Sequence, residues 1–520
     1  MFKLKSKVLW ALAVLLAAQI SVLAQPQAEP EGTAGVAVPG KIIDPLKLPF
    51  EAPRWRGIKI LKPLARDLRD RIERAVYFED VPEANVIDQA EPSTTAARIQ
   101  PLVPATNQLG FVSVEASGLE PPDPHLAVGP NDLIAATNGG LQVHSKTTGA
   151  RIGGVLGLNG FFGVPAGYNI VSDPKVIYDA PSGRFFAVLI GYNSSTTTGS
   201  WFIAVSTTNS ASGTYRTFRV DQARDLPDYP GWGICDDKVI VTSNNFNFSI
   251  ASSPFTGAVA VVLNKAQLVA GGTVNTTRFA DVRLSGGAQA FTIQPAHSLS
   301  ATTTCHMVTR GATATTMQFY RVTGVPTSTT NATLTTGSSV TVASSSTPPS
   351  GAQSGSSTRI SPGDTRLLDA TFRNGALWTA HNTGCTFTGS STTFSCARLL
   401  RFNNVAGTPT VAQDARYGLS GFYYYFPALR TDASDNMGVA FTRTGTSEQP
   451  NLRFGGLRAG SASFESTVVF ATSGAAYTGT RWGDYFGAAF DSADGSIWFI
   501  GEYKRATTPL WSTFVVRTRF

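Results

Sequence analysis

Seven segments of the chain share one pattern, and this repeat constrains the fold more than any other feature of the sequence. Each segment opens with a polar or proline-bearing head, continues into a short strand, turns at Gly, Asp or Asn, and returns through a second strand. The heads lie near residues 124, 174, 230, 295, 364, 427 and 485. This spacing suits one four-stranded blade of a β-propeller, a fold with about 4 to 8 blades. The chain is therefore predicted to be all-β, a seven-bladed propeller with six blades as the alternative.

The small residues that follow the heads agree with this prediction. In the segment RWGDYFGAAF, the polar residues Arg481, Asp484 and Tyr485 precede a strand that contains Gly487 and Ala488. The first strand of each propeller blade lines the crowded central axis, where small side chains fit. The heads are then expected to converge at one mouth of the central channel, whether or not they react.

A closed ring must also hide its last edge strand. The final repeat supplies three strands, the last of them in WSTFVVRTRF, and GFVSVEAS (110–117) is the expected fourth. Residues 109–520 are thus expected to form the propeller, with the Ser/Thr-rich stretch 327–358 as an outer loop. A protein of two or three β-sandwich domains is the alternative, but it would not place seven heads at the same position in a regular repeat.

The N-terminus predicts export. Residues 1–24 combine a basic start, a short apolar run and a small-residue cleavage site, which is the pattern of a signal peptide. The mature protein is expected to be secreted, either extracellular or periplasmic, and without a membrane span. Residues 25–108 form a Pro- and charge-rich extension, expected to be a spacer with one docked helix at about 62–78.

Four cysteines in an exported chain predict two disulfides, for which three pairings are possible. Cys385 and Cys396 flank the turn-rich segment TFTGSSTTFS, so a bond between them would clip a hairpin. Cys235 and Cys305 would then pair across neighbouring repeats. Cysteine ligation of a metal is not expected, because the sequence has no C-x-x-C spacing.

The charge distribution argues against a nucleic-acid partner. The formal net charge is +7, and much of the excess lies in residues 54–74 and not on the predicted propeller. Nucleic-acid binding usually requires a basic face on the folded domain. The expected partner is an extracellular glycan or a surface protein, and the protein is expected to be a monomer.

Five of the heads carry an aspartate, and these residues are the first candidates for a site. A ring of carboxylates could bind sugar hydroxyls or Ca²⁺, which prefers six to eight oxygen ligands; the calcium candidates are Asp173, Asp228 and Asp484. Alternatively, each aspartate caps backbone N–H groups where the chain enters an inner strand. The candidate ligand-binding residues are Asp123, His125, Asp173, Asp228, Asp364, Arg481 and Asp484.

Four turns share an Asp-to-Gly plan that resembles the Asp-box of sialidase-like propellers, S/T-x-D-x-G-x-x-W. They begin at Asp179, Asp369, Asp432 and Asp491. The nearest copy, SADGSIW (492–498), is one residue short. In that family the Asp-box lies opposite the active site and stabilises a turn, so the resemblance implies a structural role.

Over roughly 110–520 the chain resembles the exported bacterial β-propeller group related to sialidases, within the sialidase-like or Asp-box propeller superfamily. The resemblance rests on PPDPHLAVGPND, SDPKVIYD, DYPGWG and above all RWGDY. Most of the group has no assigned activity. The resemblance therefore implies the fold and leaves the reaction open.

A sialidase mechanism is one implication of the resemblance. That family binds the substrate carboxylate with three arginines and uses a Tyr nucleophile, a paired Glu and an Asp acid/base. Arg366, Arg443 and Arg481 occur in consecutive repeats, but Arg443 lies on a second strand and the family's R-I-P type motif is missing. The candidate catalytic residues are Asp484, Tyr485, Arg481, Arg366 and Glu502.

Two functions from different classes remain. The first is a propeller that binds an extracellular or cell-wall glycan or protein at its channel mouth. The second is a carbohydrate-active enzyme, a sialidase-like hydrolase or a lyase, that uses the same heads. A shallow mouth lined by aromatics such as Tyr423, Tyr424 and Tyr425 favours binding. Acids of shifted pKa beside a Tyr or Arg in one pocket favour the enzyme.

Overall fold

The structure is a computed structural model that describes residues 29–50, 59–60, 89–90, 109–115, 119–247, 249, 254–479, 481–508 and 510–520. The expected signal peptide (1–24) and the expected helix at 62–78 lie outside the described residues.

Most strands of the described chain form groups of four antiparallel strands, which we number as blades 1 to 7 in chain order. Blades 2, 3 and 5 are joined through further strands into one 15-stranded sheet, and blades 1, 4, 6 and 7 are separate four-stranded sheets. In blades 1 to 3 the strands are β6 (His125–Val128), β7 (Asp132–Thr137), β8 (Gly140–Ser145), β9 (Arg151–Leu156); β10 (Ile170–Asp179), β11 (Arg184–Asn193), β12 (Thr198–Ser206), β13 (Tyr215–Ala223); and β14 (Leu226–Ile234), β15 (Lys238–Phe246), β16 (Phe255–Asn264), β17 (Val274–Val282). In blades 4 and 5 they are β18 (Gln294–Pro295), β20 (Cys305–Arg310), β21 (Thr316–Thr323), β22 (Thr333–Thr341); and β25 (Leu367–Arg373), β26 (Ala376–Thr386), β27 (Thr393–Asn403), β28 (Thr410–Gly418). In blades 6 and 7 they are β29 (Phe422–Thr431), β30 (Met437–Gly445), β31 (Glu448–Leu457), β32 (Val468–Ala471); and β33 (Gly487–Phe490), β34 (Ile497–Tyr503), β35 (Ser512–Thr518), β4 (Gly110–Glu115).

Smaller elements lie between and beside the blades. They are β1 (Thr33–Ile43), a 3₁₀ turn (Pro45–Lys47), β2 (Lys59–Ile60), β3 (Gln89–Ala90), β5 (Leu119–Glu120), α1 (Leu158–Phe162), α2 (Lys265–Ala270), β19 (His297–Ser298), β23 (Gly351–Gln353) and β24 (Ser356–Ile360). None of the helices that the structure describes is long and apolar enough to cross a membrane.

The first strands of the blades form a ring around a central axis. In the order β6, β10, β14, β18, β25, β29 and β33, each strand contacts the next, and β33 contacts β6. The crowding at this axis explains the small residues that follow the heads: a Cβ added at Gly487 would lie 2.7 Å from the His125 Cα atom. The predicted β-propeller fold is confirmed.

The last blade is completed by a strand from the N-terminal side of the propeller. β35 pairs in antiparallel register with β4, with Phe514 opposite Val112 and Ser512 opposite Glu115. The expected pairing of GFVSVEAS with the C-terminal strand is confirmed over the residues that β4 contains. This pairing satisfies backbone groups that would otherwise remain open at the edge of blade 7.

Both expected disulfides are present. Cys235–Cys305 joins the end of the first strand of blade 3 to β20 of blade 4, across 70 residues of sequence. Cys385–Cys396 joins β26 to β27 within blade 5, across 11 residues. One disulfide therefore crosses an interface between blades, and the other closes a hairpin.

Part of the N-terminal extension is packed on the propeller and is not the spacer that its composition predicted. Residues 29–50, which we call the belt, run along the outer rim. Glu29 accepts a hydrogen bond from the Thr336 N–H of blade 4, β1 pairs with β17 and then with β13, and Phe50 forms a bridge to Leu156 of blade 1. Propensity could not predict this strand, because its partners are edges that exist only in the folded ring.

Candidate functional site at the channel mouth

Five heads share an unusual backbone conformation that brings them to the axis. A non-glycine residue with positive φ occurs in the heads of blades 1, 2, 3, 4 and 6: Asp123 (48°), Asp173 (58°), Tyr229 (53°), Thr292 (51°) and Phe426 (52°). Such residues are strained unless neighbouring groups hold them. In blades 2, 3 and 6 the conformation coincides with a bulge in the inner strand.

Asparagines on preceding blades stabilise three of these heads. The Asn138 Oδ1 atom accepts the Asp173 N–H at 2.7 Å, Asn244 Oδ1 accepts the Thr292 N–H at 2.7 Å, and Asn382 Oδ1 accepts the Phe426 N–H at 3.1 Å. Each bond runs from the second strand of one blade to the head of the next. The repeat therefore places the heads at the same height along the central axis. We call the end of the channel where the heads lie the channel mouth.

Two of the aspartate heads act as backbone caps. Asp123 accepts the Asp484 N–H through Oδ1 (2.7 Å) and the Asn138 amide through Oδ2 (2.8 Å), so it connects blade 7 to blade 1. Asp364 accepts the Arg366 N–H at 2.8 Å and pairs with the Arg366 guanidinium. The capping alternative therefore describes these two residues.

A calcium site at Asp173, Asp228 and Asp484 is not formed. Within the described ranges, no group of three or more His, Cys, Asp or Glu side chains is placed to hold a metal ion. One physical reason is that Asp484 is engaged with the cationic side chain of Arg481.

Lys175, which sequence reasoning missed, lies between two tyrosines at the mouth. Its Nζ atom is 4.3 Å from the ring centre of Tyr485 and 5.3 Å from that of Tyr229. Burial lowers the pKa of Lys175 to about 8, although the negative charges of Asp369 and other carboxylates raise this pKa. Aligning the heads PDPH and SDPK would have identified Lys175 as a candidate, because His125 and Lys175 occupy equivalent positions.

Side chains from several blades close the mouth. The Tyr485 hydroxyl donates to the Pro174 carbonyl (3.3 Å), and the Tyr229 hydroxyl donates to the Asp484 carbonyl (3.4 Å). The Arg366 guanidinium lies over the Tyr229 ring at 4.8 Å. Since these residues come from blades 2, 3, 5 and 7 and are buried, side chains from several blades fill the mouth.

Below the mouth, the channel contains a buried ion pair. The Asp369 Oδ1 atom lies 3.2 Å from Arg430 Nη1, and Arg430 also donates to the Ala488 carbonyl at 2.9 and 2.6 Å. Burial lowers the pKa of the neighbouring His125 and His297 well below 6.5, so both are neutral at physiological pH. The prediction that Asp369 closes an Asp-box turn was wrong, because Asp369 lies within β25.

Asp179, Asp432 and Asp491 do stabilise turns, as the resemblance implied. Asp432 accepts the Ser434 and Asn436 N–H groups at 2.9 Å each. Asp179 and Asp491 also pair with lysines of neighbouring blades, Lys265 at 3.0 Å and Lys146 at 2.9 Å. These turns lie at the end of the blades opposite the mouth.

A cluster of acids surrounds the loop that carries Arg481 and Asp484. Glu502 is fully buried, and within the described part of the chain neither of its carboxylate oxygens has a hydrogen-bond partner. Burial raises the pKa of Glu502 well above 4.5, and the charges of Asp123, Asp484 and Glu120 raise it further. Glu120 in turn accepts the hydroxyl hydrogen of Tyr477. Of the surrounding charges, Arg481 lowers the pKa of Glu502 and so opposes this rise.

The Arg481–Asp484 ion pair is the part of this cluster that reaches solvent. The two side chains are 23% and 14% exposed, whereas Tyr485 is buried. The bonds of the Asp484 backbone to Asp123 and Tyr229 place this loop beside the heads of blades 1 and 3.

Arg366, Arg443 and Arg481 each pair with an acid of their own blade, Asp364, Glu448 and Asp484 respectively. The tyrosines 423–425 are buried, because β29 packs against its neighbours on both faces.

Glu502→Gln is expected to change how stability depends on pH. Because the folded state raises the pKa of Glu502, its stabilising proton is fully bound below 4.5 and is lost as the pH rises through the folded value. Urea unfolding should therefore show that Glu502→Gln gains stability relative to wild type as the pH rises above 4.5, by at most about 1.4 kcal/mol per pH unit. A difference that stays constant as the pH rises would contradict the raised pKa of Glu502.

The fold and its axial site define the class of this molecule: a β-propeller whose channel is closed by charged and aromatic side chains. Among solved structures, it is similar to Trypanosoma rangeli sialidase in complex with sialic acid, with a TM-score of 0.36 and 9% identity; the match covers 67% of this chain and 54% of that one. It is also similar to an α-L-arabinofuranosidase of Fusarium graminearum (TM-score 0.35, 10% identity, 68% and 95% covered) and to a protein of unknown function from Dyadobacter fermentans (0.34, 10%, 66% and 94%). No protein-family model and no curated protein matches the sequence. At these identities and TM-scores, the similarities assign no substrate or activity to this chain.

Proposed function

We propose that this is an exported propeller that binds a glycan at its channel mouth through the Arg481–Asp484 pair. The observation that carries the proposal is this pair, which is partly open to solvent above a mouth filled by side chains. A guanidinium beside a carboxylate offers several donors and acceptors, which is the complement that sugar hydroxyls require. A filled mouth favours binding at its surface over chemistry, since catalytic sites usually enclose their substrates.

Arg481→Ala is expected to weaken glycan binding about 10- to 100-fold, the effect of losing a charged hydrogen bond of about 1.5–3 kcal/mol. The mature protein would first be screened on a glycan array, and the affinity for the best glycan then measured for each variant. Asp484→Asn should also weaken binding, because it removes the carboxylate that pairs with Arg481.

Arg519→Ala is the matched control for this experiment. Arg519 pairs with Asp494 at 2.9 Å on the same blade but at the turn end, so its removal should leave binding unchanged. Equal binding by wild type and both mouth variants, or the absence of any bound glycan, would contradict the proposal.

Glycoside hydrolysis is the second candidate, and Glu502 is the specific observation in its favour. A buried carboxyl group whose pKa is raised has the property required of a general acid. The Tyr477–Glu120 pair lies in the same cluster. Released-sugar detection on the bound glycan distinguishes the two functions: a hydrolase would lose turnover by at least about 100-fold in Glu502→Gln, whereas a binding protein would release no sugar at all.

A further inference from the structure

Tyr229 contacts two ion pairs at the surface of the mouth. Its hydroxyl donates to the Asp484 carbonyl at 3.4 Å, and the Asp484 side chain pairs with Arg481. Its ring centre lies 4.8 Å from the Arg366 guanidinium, which pairs with Asp364. The Asp364 side chain is 12% exposed, close to the 14% of Asp484. Each pair joins one cation to one anion, so the net charge of the mouth depends on the groups around the two pairs.

Carboxylates determine the charge around these pairs. Burial raises the pKa values of Tyr229, Tyr485 and Glu502, and nearby negative charges raise each of them further. The carboxylates responsible are Glu120, Asp123, Asp173, Asp364 and Asp484. Arg366 lowers the pKa of Tyr229, and Arg481 lowers that of Glu502. With the neighbouring lysine 175 they make three cations, fewer than the five carboxylates, so these described groups together carry a net negative charge.

The carboxyl group of Glu502 lies against the loop that carries the proposed binding pair. A Cβ atom added at Gly483, between Arg481 and Asp484 in the sequence, would lie 2.6 Å from Glu502 Oε1. Glu502 is fully buried, and within the described part of the chain neither of its carboxylate oxygens has a hydrogen-bond partner. A positive charge bound at this loop would attract Glu502 through a medium of low dielectric. This buried acceptor is separate from the surface carboxylates and also favours a cationic ligand.

We propose that the mouth selects glycans that carry free amino groups, an inference that rests on the glycan-binding function proposed above. A protonated amine supplies three N–H donors and a positive charge, which complement the carboxylates of Asp484 and Asp364. The same negative charge repels sugars that carry a carboxylate, so it discriminates against acidic glycans. The ligand class is therefore an oligosaccharide of amino sugars whose nitrogen atoms are not acetylated.

The test compares three probes by calorimetry on the full mature chain: a glucosamine hexamer, the same hexamer with every amine acetylated, and a galacturonic acid hexamer. The wild-type protein should bind the glucosamine hexamer at least about 10-fold more tightly than the acetylated one, and the acidic hexamer most weakly. Because salt screens exposed charges, this preference should shrink as the ionic strength rises from about 0.05 to about 0.5 M. Equal affinities for the first two hexamers, or a preference that does not depend on salt, would overturn the inference.

Asp364→Asn tests the charge of the mouth directly. The variant removes one negative charge and keeps a side-chain oxygen that can accept the Arg366 N–H. The affinity for the glucosamine hexamer should fall about 3- to 10-fold, and that for the acetylated hexamer should change by less than about 2-fold. Asp494→Asn is the matched control, since it removes the same charge at the turn end of blade 7, where Asp494 pairs with Arg519. Similar losses in both variants would contradict a local effect of charge. If Asp364→Asn does not fold, the salt dependence of the wild-type protein decides.

The outcomes also separate this inference from the proposed function. If none of the hexamers binds, the best glycan of the array is compared before and after acetylation of its amines. A neutral or acidic glycan that binds best, and that loses affinity in Arg481→Ala, would leave the proposed function intact and overturn the selection of amino sugars. The absence of any bound glycan would overturn both.

Discussion

Replacing Asp369 by asparagine is expected to lower the free energy of unfolding by about 3–5 kcal/mol, the cost of breaking a buried ion pair. Asp369 pairs with Arg430 in the channel and opposes the desolvation of Lys175. Without its charge, two buried cations remain with less compensation in a region of low dielectric. Urea unfolding at pH 7 measures this loss directly.

Two further variants separate this explanation from a general effect of losing an aspartate. Asp221→Asn breaks an exposed pair with Arg219 and should cost no more than about 1 kcal/mol. Adding Lys175→Met to Asp369→Asn should recover part of the loss, because it removes one of the uncompensated charges. Equal losses in Asp369→Asn and Asp221→Asn would show that the channel charges are not coupled.

Removing the disulfide between blades is expected to have the second large effect. Cys235→Ala with Cys305→Ala should lower the free energy of unfolding by about 4 kcal/mol, and Cys385→Ala with Cys396→Ala by about 3 kcal/mol, from the chain entropy of loops of their lengths. The first pair spans 70 residues and the second 11. Denaturant unfolding of both double variants against wild type provides the measurement.

The order of the two losses is the informative result. A larger loss for the hairpin disulfide would mean that packing around Cys385 and Cys396, both buried in the core of blade 5, outweighs the entropy of the longer loop. The matched design makes this distinction possible, since both variants remove one disulfide from one fold.

Much of the architecture followed from the sequence by itself, because the signals are local. Each head, inner strand and Gly- or Asp-bearing turn fits within about twenty residues, and their period predicted the propeller. The same pattern predicted the partner of the C-terminal strand and both disulfides, since each depends on which repeats are neighbours.

Tertiary structure alone decided which side chains meet. Asp369 has the sequence pattern of a turn aspartate, yet the register of β25 places it in the channel opposite Arg430. Asp123 accepts the Asp484 N–H across 361 residues of sequence, and Glu502 lies beneath the same loop. The position of a residue within the repeat fixes its height along the central axis and its distance from that axis. Which side chain of a neighbouring blade it contacts depends on how the blades pack into a ring. The packing of the belt could not be predicted for the same reason, because the edges of β13 and β17 become neighbours only when blades 2 and 3 pack together.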